Sequence, residues 1–98
     1  MKVVYSPRAV RDLQQIGAYY RAVASPDVAA AIAERIESVI GRLARQPQSA
    51  PRVVGRAGVR AVVVLRYPYR IFYRLRADEI EVLHIRHTAR RPWNETGE

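Results

Sequence analysis

The apolar period of this chain changes once, and that change fixes the order of its elements. From Ala9 to Leu43 apolar residues recur at helical spacing, and beyond Arg60 they alternate with a period of two. Gln46 to Gly58, rich in Pro, Ser and Gly, separates the two regimes and reads as the main loop. A chain patterned this way sets a helical layer against a sheet built largely from its second half.

Two start signals frame the helices. Ser6-Pro7 and Ser25-Pro26 each offer an N-cap hydroxyl followed by proline at the first helical position. The first helix is predicted over Pro7 to Val23, with Ala9, Leu13, Ile16, Gly17 and Tyr20 inward and Arg8, Arg11, Asp12 and Gln15 on much of the other face. The second starts at Pro26, carries Asp27 in its first turn, and presents Ala29, Ile32, Ile36, Val39 or Ile40, and Leu43. Arg42 and Arg45 complement its C-terminal end, and Pro47 lies beyond. So short a connection makes the helices an antiparallel hairpin.

Lys2 to Tyr5 reads as a short first strand. Arg60 to Arg66, Tyr69 to Leu75 and Ile80 to Arg86 read as three more, joined by turns at Tyr67-Pro68 and Arg76 to Glu79. The expected fold is α+β: an N-terminal strand, then a helical hairpin packed on a small sheet that ends in a three-stranded antiparallel meander. Tyr69, Ile71, Tyr73 and Leu75 share one face of the middle strand, and Arg70, Phe72 and Arg74 the other. The hairpin covers one face and leaves the other partly open. His87 to Glu98 reads as a polar tail, and a single domain over residues 1–98 is expected.

Charge is the second constraint. Sixteen arginines and one lysine face nine acids, a net charge of +8. Seven arginines and no acid fall between Arg52 and Arg76, with Arg66, Arg70 and Arg74 set among Val, Ile, Phe and Tyr. Such an excess points to nucleic acid or an acidic protein as partner. Arginine's planar fork suits phosphate and carboxylate better than a lysine does.

Several chemistries are excluded or unsupported. With no cysteine there is no disulfide or thiolate metal site. His84 and His87 fall on opposite faces of a strand, so no metal and no cofactor is expected. Gly55 and Gly58 lack the pattern of a phosphate loop, and no nucleophile elbow is present. No stretch approaches the ~20 apolar residues of a membrane span, and a cytoplasmic location is expected by default.

In this order and at this length, several segments resemble the RelE/ParE superfamily of bacterial toxins, most closely its ParE-like branch. The resemblance is carried by Tyr5-Ser6-Pro7 with Ala9 and Asp12-Leu13, by Gly58-Val59-Arg60, and by Tyr67-Pro68-Tyr69-Arg70-Ile71-Phe72-Tyr73. The ending His84-Ile85-Arg86-His87 with Arg90-Arg91-Pro92 completes it. It implies the toxin of a type II toxin–antitoxin system, neutralised by a cognate antitoxin encoded by the adjacent gene in a hetero-oligomer. The ParE branch implies DNA gyrase as target, inhibited by binding. The alternative branch implies a ribosome-dependent mRNA interferase, with Arg70, His87 and Arg90 as candidate catalytic residues. Thr88 stands where that branch expects an active-site arginine. The resemblance implies target contacts at Arg60, Arg66, Arg70, Arg74, Arg90, Arg91 and Trp93, and antitoxin contacts at Leu13, Ile16, Tyr20, Arg60 and Tyr69.

Two of these residues carry a second reading. Arg70 either contacts phosphate or carboxylate through its fork or pairs across the sheet with a glutamate such as Glu81. His87 either serves as a general acid or closes the last strand with a hydrogen bond.

Overall fold

The computed structural model describes residues 1–89 and contains β1 (Lys2–Tyr5), α1 (Pro7–Val23), α2 (Pro26–Arg45), β2 (Val59–Val64), β3 (Tyr69–Arg76) and β4 (Glu79–His87). Both helices start as the serines dictate. Ser6 Oγ accepts the Ala9 amide at 3.0 Å, and Ser25 Oγ accepts that of Val28 at 3.1 Å, each satisfying an amide of the first turn. α1 stops at Ala24, whose N–H still reaches Tyr20 O, and Pro26 reopens the helix in a new direction. The stripe read from α2 is its buried face: Ala29, Ile32, Ile36, Val39, Ile40 and Leu43.

The sheet has the order β1-β4-β3-β2. β2, β3 and β4 form the antiparallel meander, and β1 adds to the outer edge of β4 in parallel, ending at Tyr5↔Val82. The α+β expectation is borne out, with the first strand now placed in the sheet. Ile71, Tyr73, Ile80, Val82 and Ile85 pack with α2 into the main core. Val59, Ala61 and Phe72 form a smaller cluster on the other face, joined by Val53 and Leu83.

Three departures have local causes. β2 spans Val59–Val64, so Arg66 lies in the turn and not in the sheet, at φ 77. Pro68 has no N–H to give the ladder, and the chain leaves pairing at Val64↔Tyr69 to accommodate it. The loop from Gln46 is fastened to the sheet: Tyr73 Oη donates to Pro47 O at 2.8 Å, and Arg60 Nη1 to Ala50 O at 2.6 Å. Finally, β4 carries a bulge. Phe72 pairs with His84 but Tyr73 with Val82, leaving Leu83 as the extra residue. Ile80, Val82 and Ile85 therefore all face the helices, while Leu83 and His84 both turn to Phe72.

Among the described residues no helix is long and apolar enough to cross a membrane. Ile71 is fully buried at the centre of β3. Ile71→Ala is expected to cost about 2–5 kcal/mol in urea unfolding, whereas Val63→Ala, on a half-exposed side chain, is expected to stay within about 0.5 kcal/mol.

Candidate binding face and groove

Two surfaces gather the candidate residues, and both follow from where β1 stops. Beyond Val82 none of the described strands lies beside the outer edge of β4, and α1 takes over. Ser6 N–H donates to Val82 O and Ser6 Oγ to Leu83 O, each at 2.9 Å. Six residues on, Asp12 Oδ2 accepts the Ile85 amide at 2.9 Å and lies 2.7 Å from His84 Nδ1. Arg8 Nε is 3.1 Å from that same nitrogen. An Nδ1–H donating to a carboxylate has no lone pair left to accept, so the shorter contact fixes the bond and the tautomer. Arg8 then stands beside it without donating there.

This clasp ties α1 to β4 and leaves a groove of about 560 Å³ between them, lined by Ile16, Tyr19 and Tyr20 of α1 and by Tyr69, Ile85 and His87 of the sheet. Tyr19 is 58% exposed and meets Tyr20 edge to face, 5.0 Å between ring centres. Of the residues assigned to antitoxin contact, Ile16, Tyr20 and Tyr69 line this groove together, and Leu13 packs beneath against the core. Arg60 is elsewhere, holding the loop carbonyls.

The other surface is the sheet face turned away from the helices. Arg70 lies over the Phe72 ring at 5.1 Å, and its cross-strand neighbours are Val63 and Arg86. The glutamate pairing does not form at Arg70. Glu81 instead accepts from Arg74 Nε at 2.8 Å and Arg76 Nη1 at 3.4 Å, because it lies opposite Arg74 on β4. Among the described residues no carboxylate pairs with Arg70. Arg66, in the turn, is exposed. Arg90, Arg91 and Trp93 lie outside the described residues.

His87 is not on the Arg70 face. It meets Tyr69 edge to face at 5.4 Å on the helix side, and its Nδ1 accepts the Ala89 amide at 3.1 Å. Arg70 and His87 therefore do not converge on one phosphate. Among the described residues no cluster of three or more potential metal ligands occurs.

The sequence reading placed Arg8 and Asp12 on the outward face of the first helix and gave neither them nor the buried Arg86 a contact, whereas Asp12 turns onto β4. The available signal was His84, one polar residue inside the apolar run Val82 to Ile85, needing a partner that no local spacing supplies.

Two outcomes follow. Asp12→Ala leaves two donors of β4 without their acceptor and is expected to cost about 1–3 kcal/mol in urea unfolding, with Asp12→Asn recovering part of it. Glu81 is held below the usual glutamate range, chiefly by the Arg74 hydrogen bond, with burial opposing. A carboxyl with a depressed folded pKa stabilises the fold above its unfolded value and loses that contribution as pH falls through the folded one. Acid titration of thermal stability is expected to be shallower in Glu81→Gln, by no more than about 1 kcal/mol because Arg74 is largely exposed.

Comparison with known proteins matches this architecture. The family model "ParE toxin of type II toxin-antitoxin system, parDE" covers residues 3–92. The chromosomal ParDE toxin–antitoxin system of P. aeruginosa superposes with a TM-score of 0.79 at 26% identity, over 89% of this chain and 95% of that one. The isolated E. coli RelE toxin gives 0.67 at 14% identity over 92% and 86%, a likeness of fold. The RelBE2 toxin–antitoxin complex of Mycobacterium tuberculosis gives 0.60 at 25% identity over 91% and 92%. A search of curated proteins finds no significant match. With the family model spanning nearly the whole sequence and the strand, hairpin and meander arranged as in ParDE and RelE structures, the chain belongs to the ParE toxin family of type II toxin–antitoxin systems.

Proposed function

We propose that this toxin inhibits DNA gyrase in the cytoplasm by binding it through the open sheet face, performs no chemistry of its own, and is neutralised by a cognate antitoxin from the adjacent gene. The observation that carries the reading is Arg70. Its half-buried side chain holds the guanidinium over Phe72 on the sheet face turned away from the helices, with no carboxylate partner among the described residues. An arginine so presented recognises an anionic group on a target through its fork. The ParE family match and the ParDE likeness support gyrase as that target.

The interferase alternative needs a proton donor beside the arginine that clamps the phosphate. His87 is on the opposite side of the sheet from Arg70, which weighs against it.

The groove between α1 and β4 suits the neutralising partner. It offers Ile16, Tyr19 and Tyr20 beside the β4 edge, and the net charge of +8 draws an acidic, disordered segment that folds as it binds. Likeness to a solved toxin–antitoxin complex supports a hetero-oligomer of this kind.

In excess over gyrase, the purified toxin is expected to block supercoiling of plasmid DNA and to accumulate cleaved complexes; normal supercoiling with no trapped cleavage overturns the proposal. Arg70→Ala is expected to lose most of the inhibition while unfolding at the wild-type midpoint, and Arg70→Lys to recover only part. Full inhibition by folded Arg70→Ala would reduce Arg70 to one charge in a diffuse basic field.

A further inference from the structure

β2 closes the sheet on the side away from β1, and the loop before it covers only its first half. Val53 N–H donates to Val59 O and Ala61 N–H to Pro51 O, so that loop runs along the outer side of β2 as far as Ala61. Backbone groups alternate along a regular strand, and β2 pairs with β3 without a break from Val59 to Val64. The N–H and C=O of Val63 therefore point outward, as those of Val59 and Ala61 do. Among the described residues nothing pairs with them.

Edge strands are usually blunted by charge, proline or a bulge. The run Val62, Val63, Val64 and Leu65 has none of these, and Val63 and Leu65 are exposed. A cavity of about 370 Å³ opens beside it, lined by Leu43, Ala50, Val62 and Val63 and by two arginines, Arg42 and Arg70. The arginines come from opposite sides of the sheet. Arg42 belongs to the last turn of α2, on the core side, and Arg70 to the face turned away. Neither pairs with a carboxylate among the described residues.

We propose that the β2 edge at Val63 receives an extended acidic segment of the toxin's target by strand addition. The proposal rests on the reading of Arg70 as a target contact and names the chemistry of what it contacts. Side chains of an added strand alternate between the two faces of the sheet. Two consecutive acids thus reach one arginine each, the first passing over Val63 to Arg70 and the second turning to Arg42. Main-chain bonds to Val63 set the register, and the two arginines select for acid. A second copy of this chain fits the edge less well, because pairing edge to edge sets its Arg42 and Arg70 against these two.

The probe is a short fluorescently labelled peptide repeating Val-Glu-Glu, titrated with the purified chain by anisotropy. Saturable binding is expected, weakened about tenfold by Arg42→Gln and by Arg70→Gln. The same peptide N-methylated along its backbone keeps the charge but cannot pair as a strand, and its binding is expected to be lost. Val63→Pro removes the outward N–H and no ladder bond, so the variant should unfold near the wild-type midpoint. It is expected to weaken peptide binding and gyrase inhibition alike, each about tenfold. No peptide binding by the wild-type chain, or equal binding of the N-methylated peptide, overturns strand addition. Full gyrase inhibition by Val63→Pro with peptide binding weakened overturns the assignment to the target and gives the edge to another acidic partner. If the wild-type chain leaves gyrase uninhibited, the proposed function fails, and the peptide titration still decides the edge.

Discussion

The outer edge of β4 beyond Val82 is the constraint on which the molecule turns. A strand edge presents polar backbone groups that must find partners, and β1 is only four residues long. The start of α1 completes the edge: Ser6 through its N–H at Val82 and its hydroxyl at Leu83, Asp12 through its carboxylate at Ile85 and His84. The bulge at Leu83 makes this possible by turning His84 away from the helices and returning Ile85 to the core. The same clasp fixes how α1 crosses the sheet, and so opens the groove in which Tyr19, Tyr20 and His87 meet. Fold and groove share one cause.

The arginines that dominate the sequence divide according to what the sheet does with them. Arg60 projects to the helix side with Tyr73 and secures the loop that leads into β2. Arg74 and Arg76 share Glu81 at the β3–β4 hairpin. Arg70, resting on Phe72, is held by an aromatic surface that satisfies charge without consuming the fork's hydrogen bonds. A basic domain can thus spend several arginines on its own architecture and still present others to a partner.

Much of this was legible because the signals are local. The Ser-Pro starts fixed both helix N-termini, and the stripe from Ala29 to Leu43 named the buried face of α2, where Val39 and Ile40, read as alternatives, are both buried. Alternation separated Ile71 and Tyr73 from Arg70 and Phe72, and placed His84 and His87 on opposite faces. That parity survived because the bulge precedes both histidines. What stayed hidden was non-local. Asp12 and His84 are 72 residues apart, and nothing in either neighbourhood announces the other. The positive φ of Arg66 was also unreadable, since a hairpin imposes it on a residue type that does not favour it. The parallel addition of β1 to β4, and the anchoring of Arg60 to Ala50, likewise required the folded chain.

Under the proposed function the two surfaces meet two kinds of partner: the Arg70 face the toxin's target, and the α1–β4 groove the molecule that silences it. The most direct test is the affinity of purified gyrase for two folded variants measured side by side, Arg70→Glu on the face and Tyr19→Ala in the groove. Charge reversal at Arg70 is predicted to abolish binding, while Tyr19→Ala binds as the wild type does. Gyrase affinity lost in Tyr19→Ala and retained in Arg70→Glu would contradict the assignment of surfaces.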